Sequence, residues 1–218
     1  MRLKTTAIFS TMIEFFLDAY KDASPLRLIL EFIAFVLGIM SVWYAKKENI
    51  WVYPTGLIAT IITTYLLYLA GYLGDMMVNA YFSIMSVYGW YRWSKKDNAA
   101  DDLPITRTNA KQKAIGVLLF IVTVLVVFGI YNFFGYTIKE DNYIDIFASG
   151  LFFTAMWYMA LKKIENWTLW IIGDLIVTPL YAYRGLGMLS LQYLIFTILA
   201  VSAYLEWKRI LNSNKLTS

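Results

Sequence analysis

Seven stretches of the chain are runs of mostly apolar residues separated by short polar segments. A transmembrane helix needs about 20 such residues. The runs are Leu26–Tyr44, Ile50–Tyr72, Met76–Trp93, Ala114–Phe134, Tyr143–Leu161, Trp167–Tyr183 and Met188–Trp207. The pattern therefore predicts an all-α integral membrane protein with seven transmembrane helices. An eighth apolar stretch, Ile8–Tyr20, is too short to span, and we expect it to be an interfacial helix.

The first three runs resemble the last three. A shift of 114 residues places Glu31 on Asp145, Trp43 and Tyr44 on Trp157 and Tyr158, and Trp93 on Trp207. Glu48–Asn49 matches Glu165–Asn166 at a shift of 117, which predicts a local offset of three residues. One run lies between the copies, so both enter the membrane from the same side. Parallel repeats of this kind imply a pseudo-twofold axis along the membrane normal, with substrate held near the midplane between the repeats.

The repeats divide the chain into five predicted parts. These are an N-terminal periplasmic segment (1–25), a first three-helix repeat (26–96), a cytoplasmic basic loop with a linker helix (97–142), a second repeat (143–210) and a cytoplasmic tail (211–218). The orientation follows from Lys and Arg, of which six lie on the N-terminal side and thirteen on the other. Cytoplasmic loops carry the excess. We interpret the basic stretch Lys95–Lys113 as a topology signal rather than a partner-binding site.

Composition then limits the chemistry. Apolar residues make up 60% of the chain and charged residues 16%, and there is no Cys and no His. Disulfides, thiolate metal sites and cysteine nucleophiles are excluded, together with the commonest general base. The net charge of +4 lies in membrane-flanking loops, so it does not indicate nucleic-acid binding. We predict no catalytic residue, no metal and no cofactor, which favours moving a small molecule over transforming it.

All eight tryptophans lie near the predicted cytoplasmic ends of the runs. An interfacial aromatic belt accounts for most of them. Trp90 and Trp170 lie about one helical turn deeper than Trp93 and Trp167. Aromatic side chains at that depth could stack on a flat, partly cationic ring.

Asp174 lies inside the sixth run, between Gly173 and Pro179. An ionised carboxylate there is costly unless it faces a polar cavity or a partner, so a substrate site is the first interpretation and a hydrogen bond to another helix the second. Pro54 and Gly56 interrupt the matching helix of the first repeat. Paired interruptions of this kind point to a transporter's binding site.

A second polar group lies on the third helix of each repeat. Asn79 and Ser83 are four residues apart, and Gln192 and Thr197 are five apart. These side chains could bind sugar hydroxyls or a carboxamide, or they could form interhelical hydrogen bonds. Glu31 and Asp145 are expected to cap the mouth of a cavity or to pair with Arg27 or Arg184.

Several motifs resemble the PnuC family of bacterial vitamin transporters. They are Tyr88-Gly89-Trp90-Tyr91-Arg92-Trp93, Glu165-Asn166-Trp167-Thr168-Leu169-Trp170, Asp174, Tyr181 and the ending Trp207-Lys208-Arg209. The resemblance covers nearly all of the chain after residue 25. It implies a three-plus-one-plus-three arrangement like that of the SWEET sugar transporters, in the inner membrane. It also implies facilitated uptake of a dephosphorylated vitamin, made one-way by a cytoplasmic kinase.

Nicotinamide riboside is the leading substrate hypothesis, with thiamine or riboflavin as the alternative within the same family. The predicted binding residues are Asn79, Ser83, Trp90, Trp93, Trp167, Trp170, Asp174, Tyr181 and Gln192. A membrane enzyme is disfavoured because no run carries two carboxylates at helical spacing. A retinal protein is disfavoured because the last run contains no lysine. A homotrimer is the assembly we consider.

Overall fold

The computed structural model describes residues 24–70, 73–95, 103–135, 137–184 and 187–216. Seven α-helices occupy these residues: α1 (Pro25–Lys46), α2 (Val52–Ala70), α3 (Leu73–Ser94), α4 (Ala110–Phe133), α5 (Glu140–Ala160), α6 (Glu165–Tyr183) and α7 (Gly187–Leu216). The prediction of seven helices is confirmed. The predicted interfacial helix Ile8–Tyr20 lies outside the described residues.

Local sequence explains where two of these helices begin. Ser24 caps α1 by accepting a hydrogen bond from the Arg27 amide at 3.3 Å, and Pro25 follows at the first helical position, where its missing N–H costs nothing. Asn109 and Gln112 form a reciprocal capping box at the start of α4. The basic segment before α4 therefore ends at a defined residue.

Four of the described helices are long and apolar enough on their own to cross a membrane: Pro25–Lys46, Val52–Leu69, Ala110–Phe133 and Gly187–Ser213. On α4, Leu118, Leu125 and Val126 are more than half exposed, as expected for side chains that face lipid. The helices α3, α5 and α6 carry more polar groups. Most side chains of α5 are buried, so this helix is central to the bundle.

Six helices form a closed ring. Contacts run from α1 to α2, α3, α5, α6 and α7, and α7 returns to α1. The linker helix α4 lies outside this ring, mainly against α5. Each repeat thus supplies three neighbouring helices, and the repeats meet along the α3–α5 and α1–α7 contacts.

The turn after the first helix of each repeat has the same backbone geometry. Glu48 and Lys162, which are 114 residues apart, both adopt positive φ angles, of 53° and 47°. The next amides, of Asn49 and Lys163, donate to the carbonyls of Tyr44 and Tyr158 at 2.9 Å in both cases. The expected three-residue offset, which matched Glu48 to Glu165, is therefore wrong. The Glu-Asn pairs share residue types only, whereas the backbone follows a constant shift of 114.

Two aromatic pairs repeat in the same way. The rings of Tyr53 and Trp93 meet edge to face at 5.1 Å and 87°, and those of Trp167 and Trp207 at 5.4 Å and 86°. The shift of 114 relates each member of one pair to a member of the other. Each pair fixes the start of the repeat's second helix against the end of its third.

We call the end of the bundle that holds the turns 47–51 and 161–164 the basic end. Its core contains fully buried Tyr53, Trp167 and Trp207, and the Trp207 indole donates to the Lys46 carbonyl at 3.2 Å. The interpretation of the tryptophans as an interfacial belt does not hold for these two buried side chains. It suits Trp43, which is 48% exposed and lies beneath the ammonium groups of Lys46 and Lys47.

Residues 103–109, which we call the strap, cover the second-repeat turn. The Thr106 amide donates to the Lys162 carbonyl at 3.1 Å, and the Ile164 amide donates to the Thr106 carbonyl at 3.0 Å. Ile105 is 3% exposed and packs into the core of the basic end. The part of the predicted basic loop nearest α4 is thus an integral piece of the fold.

Candidate functional site

A cavity of about 650 Å³ occupies the centre of the ring. All six ring helices contribute side chains to its wall. Towards the basic end it stops at Ala45, Val52 and Tyr53, which are 2% exposed or less. Towards the opposite end its wall reaches Arg27 and Asp145, near the starts of α1 and α5. The cavity is therefore closed at the basic end.

Six of the nine predicted binding residues line this cavity. They are Asn79, Trp167, Trp170, Asp174, Tyr181 and Gln192. The structure does not bring Ser83, Trp90 or Trp93 to its wall. Of the residues that interrupt the two second helices, Gly56 lies at the wall, where it faces the Ser41 hydroxyl, whereas Pro54 and Pro179 do not line the cavity.

The other three residues have different surroundings. Trp90 is 41% exposed on the outside of α3. Trp93 packs edge to face on Tyr53, with the Lys162 ammonium 4.6 Å from its ring centre. The Ser83 hydroxyl lies 2.8 Å from that of Thr60, so it fits the interhelical hydrogen bond that was the alternative interpretation. Depth along a helix was predictable here, but the side of α3 that faces the cavity was not.

An aromatic wall lines the cavity, with Phe82 from the first repeat and three rings from the second. The rings of Phe152 and Trp170 stack at 5.3 Å and 28°, and those of Phe82 and Tyr193 lie 5.7 Å from Trp170 and 5.9 Å from Phe152, respectively. We use the term aromatic wall for these four side chains. Sequence reasoning missed Phe82, Phe152 and Tyr193, because an aromatic residue in an apolar run looks the same whether it faces lipid, core or a cavity.

Gly173 explains how Phe152 reaches its position. A Cβ atom at Gly173 would collide with the Phe152 ring, so only glycine allows α5 and α6 to approach this closely here. The Gly173-Asp174 pair singled out in the sequence thus has two structural roles. Gly173 accommodates the wall, and Asp174 follows it on the cavity side.

Asp174 has no partner for its carboxylate within the described part of the chain. The side chain is 1% exposed and lines the cavity, and its Oδ1 atom has no hydrogen bond. The Thr178 hydroxyl donates to the Asp174 main-chain carbonyl at 2.7 Å and leaves the carboxylate unsatisfied. A buried charge without a partner is costly, so such a group in a membrane protein is a functional candidate by default.

The other acidic side chains of the cavity are paired. Glu31 accepts a 2.8 Å hydrogen bond from Arg27, and Arg184 bridges Asp145 and Asp141. The expectation that Glu31 and Asp145 pair with these arginines is confirmed. Glu31 and Asp145 each contact an arginine, so Asp174 is the acid without a basic partner among the described cavity residues.

The site is asymmetric although the fold repeats. Under the shift of 114, Trp170 corresponds to Gly56, Phe152 to Gly38 and Asp174 to Thr60. All six positions line the cavity. At these three positions the second repeat presents a ring or a carboxylate where the first repeat presents glycine or threonine. An asymmetric molecule with a ring at one end fits this arrangement.

The sequence profile of a family described as nicotinamide mononucleotide transporter matches residues 28–209. The chain belongs to this family. Its members are transporters, which agrees with a central cavity in an apolar helical bundle, and the chain is a multi-pass membrane transporter rather than an enzyme. The profile spans all seven described helices except the ends of the first and last.

Individual relatives are distant. The nicotinamide riboside transporter PnuC of Escherichia coli (strain K12) is 23% identical over 201 residues, covering 82% of this chain and 84% of the relative. The riboflavin/roseoflavin transporter RibM of Streptomyces davaonensis is 26% identical over 178 residues, covering 79% and 81%. The crystal structure of the vitamin B3 transporter PnuC superposes with a TM-score of 0.71 at 21% identity, over 93% of this chain and 90% of the other. This likeness shows that the folds agree.

Proposed function

We propose that the protein carries nicotinamide riboside across a bacterial inner membrane. The observation that carries this proposal is the unpartnered Asp174 carboxylate beside an aromatic wall. The pyridinium ring of nicotinamide riboside is flat and carries a permanent positive charge. A carboxylate and ring faces together attract such a group, the first by charge and the second by cation–π interaction.

Trp170 and Phe152 would hold the ring on the second-repeat side of the cavity. Asn79 and Gln192 also line it, and amide side chains both donate and accept hydrogen bonds, as binding a carboxamide and ribose hydroxyls requires. Tyr181 and Trp167 complete the proposed site. Ser83, Trp90 and Trp93 do not belong to it in this conformation.

Orientation and direction are part of the proposal. The basic end carries most of the Lys and Arg residues, so we place it in the cytoplasm, with the N-terminus outside. The cavity is closed at that end and reaches towards the outside, as needed to receive a vitamin before uptake. Transport would be downhill, and phosphorylation by a cytoplasmic kinase would remove the product.

Thiamine is the second candidate, because it also combines a permanent cation with flat rings and would meet the same carboxylate. Riboflavin is uncharged and would leave Asp174 without a partner, so we rank it lower although a relative transports it. Reduced, uncharged dihydronicotinamide riboside has nearly the shape of the cation. It separates the contribution of charge from that of shape.

Binding to the purified protein in detergent tests the proposal. We expect nicotinamide riboside to bind more tightly than riboflavin and its own reduced form, and Trp170→Ala to weaken binding by about 1–3 kcal/mol, by analogy with bases stacked on aromatic side chains. Trp43→Ala is the matched control, because Trp43 lies on the outer surface. Tight binding of thiamine alone, or equal binding to both tryptophan variants, would overturn the substrate or the site.

A further inference from the structure

We propose that Ser41 and Ser86 form a subsite for the sugar part of the substrate. The inference rests on the proposed function and adds a place for the ribose, to which two hydroxyl groups and one glycine of the first repeat contribute. It comes from the wall of the cavity at Gly56, where the two serine side chains meet.

Gly56 allows the two hydroxyl groups to come together. A Cβ atom at this position of α2 would lie 2.8 Å from Ser41 Oγ on α1 and 3.7 Å from Ser86 Oγ on α3. All three residues line the cavity. Because glycine has no side chain, both oxygens approach one point of the wall, which a larger residue at position 56 would fill.

The two hydroxyl groups have complementary hydrogen-bonding capacity. Ser41 Oγ donates its proton to the Val52 carbonyl at 2.8 Å, so towards a ligand it can only accept. Ser86 is 2% exposed, and its hydroxyl forms no hydrogen bond within the described part of the chain, so it is free to donate. Buried hydroxyl groups are normally hydrogen-bonded, and an unpartnered one at the wall of a cavity therefore indicates a partner supplied by a ligand.

A sugar hydroxyl group fits this pair. It can donate to Ser41 Oγ and accept from the Ser86 O–H in the same complex, whereas the carbon atoms of a pyridinium ring offer neither bond. The shift of 114 relates Gly56 to Trp170, so the subsite lies across the pseudo-twofold axis from Trp170 at a similar depth. A substrate whose ring stacks on Trp170 would thus place its ribose against the first repeat.

The subsite would make the ribose a determinant of selectivity. The cation 1-methylnicotinamide has the same charged ring and carboxamide as nicotinamide riboside but no sugar, and it would leave the Ser86 hydroxyl without a partner. Sites built to bind a hydroxyl group discriminate against ligands that lack it, because the buried polar groups then stay unpaired. Loss of the Ser86 hydroxyl should therefore weaken binding of the riboside and leave binding of 1-methylnicotinamide unchanged.

Deoxy analogues test the subsite one hydroxyl group at a time. Binding of nicotinamide riboside and of its 2′-, 3′- and 5′-deoxy analogues is measured with the purified protein. We expect one analogue to bind about 2- to 12-fold more weakly than the riboside, the loss of one neutral hydrogen bond. In Ser86→Ala the riboside should be weakened by a similar factor, and this analogue should lose almost nothing further, because its missing hydroxyl has no partner left to lose.

A matched serine provides the control. The Ser202 hydroxyl donates to the Leu199 carbonyl at 3.0 Å, and Ser202 does not line the cavity. Ser202→Ala should retain the full difference between the riboside and its analogues. Equal binding of the riboside and every analogue to the unaltered protein, or effects of Ser86→Ala and of the analogues that simply add, would overturn the subsite while the proposed function stands. If the riboside itself does not bind, both fail.

Gly56→Ala tests the subsite as a whole. The added Cβ would displace the Ser41 hydroxyl, so this variant and the double variant Ser41→Ala/Ser86→Ala should lose similar affinity for the riboside and keep their affinity for 1-methylnicotinamide. The double variant carries the same test if Gly56→Ala does not fold. Trp170→Ala should weaken both ligands, because it removes the surface on which their shared ring stacks. Equal losses for the two ligands in the serine variants would show a change of the whole cavity and overturn the subsite.

Discussion

A charge pair joins the two repeats at the basic end. Lys162 Nζ lies 3.0 Å from Glu48 Oε2 and 4.6 Å from the centre of the Trp93 ring. Because Glu48 and Lys162 are equivalent under the repeat and touch each other, they lie on the pseudo-twofold axis. We predict that Lys162→Met weakens this closure and exposes the cavity from the basic end.

The size of the effect follows from burial. Breaking a fully buried ion pair costs about 3–5 kcal/mol. The Lys162 side chain is 7% exposed, but water still reaches Glu48, at 28%, which reduces the penalty for leaving that carboxylate alone. Losing the cation–π contact adds about 1 kcal/mol. We therefore expect about 2–4 kcal/mol against the closed state, and even 2 kcal/mol changes the ratio of open to closed carriers about 30-fold.

The chain contains no Cys, so one introduced thiol is a unique reporter. Ser86 lines the cavity and is 2% exposed, which makes Ser86→Cys suitable. Its labelling by a membrane-impermeant maleimide, applied from the side of the basic end, should speed up by at least about tenfold with Lys162→Met. Lys208→Met is the control, since Lys208 lies over Tyr204 on the exterior.

A double-mutant cycle with Glu48→Gln checks the assignment. If this ion pair keeps the basic end closed, the double variant should be labelled little faster than either single variant, because each single change already breaks the contact. Unchanged labelling in Lys162→Met, or effects that simply add, would show that the repeats are held together by the surrounding aromatic core instead.

Two further predictions concern packing. Gly173→Ala should drive the Phe152 ring into the cavity, destabilise the protein by about 1–3 kcal/mol and weaken vitamin binding, as followed by thermal unfolding and by titration. The control is Gly129→Ala on α4, where an added Cβ meets nothing within 4 Å, and equal losses in both variants would contradict the packing argument. Ile105→Ala should release the strap from the basic-end core at a cost of about 2–5 kcal/mol. The Thr106 and Ile164 amides should then exchange hydrogen faster, and unchanged protection would mean that the main-chain bridge alone holds the strap.

Hydropathy predicted the helices because lipid requires apolar residues and satisfied backbone groups over a fixed length. The predicted start and end Leu26–Tyr44 agree with Pro25–Lys46 to within two residues. The largest difference is at the C-terminus, where Met188–Trp207 was predicted and the helix continues to Leu216. Hydropathy indicates which residues lie within the membrane, whereas the helix itself can extend beyond the membrane into water, held by its backbone hydrogen bonds.

The candidate site was predictable where a residue conflicts with its surroundings. Asp174 stands out because a carboxylate in an apolar run needs a reason to be there. Phe152 gives no such signal, since nothing local distinguishes a ring that faces a cavity from one that faces lipid. Trp90 does not line the cavity, for a related reason. Its depth in the membrane could be predicted from the sequence, but which side of α3 faces the cavity depends on the order of the helices around the ring.

The axis and the cavity show different consequences of a repeated fold. A residue on a true twofold axis faces its own copy, so position 48 of a symmetric dimer would oppose Glu to Glu or Lys to Lys, and like charges at that distance repel. Joining the repeats in one chain allows Glu48 and Lys162 to differ and to attract. The same freedom gives Trp170 on one side of the cavity and Gly56 on the other. Two repeats with identical side chains could not form an ion pair on the axis itself, and they would offer an asymmetric vitamin two equivalent half-sites. Both departures from symmetry require the two repeats to belong to one chain. The linker helix α4 joins them in the same orientation and lies outside the ring.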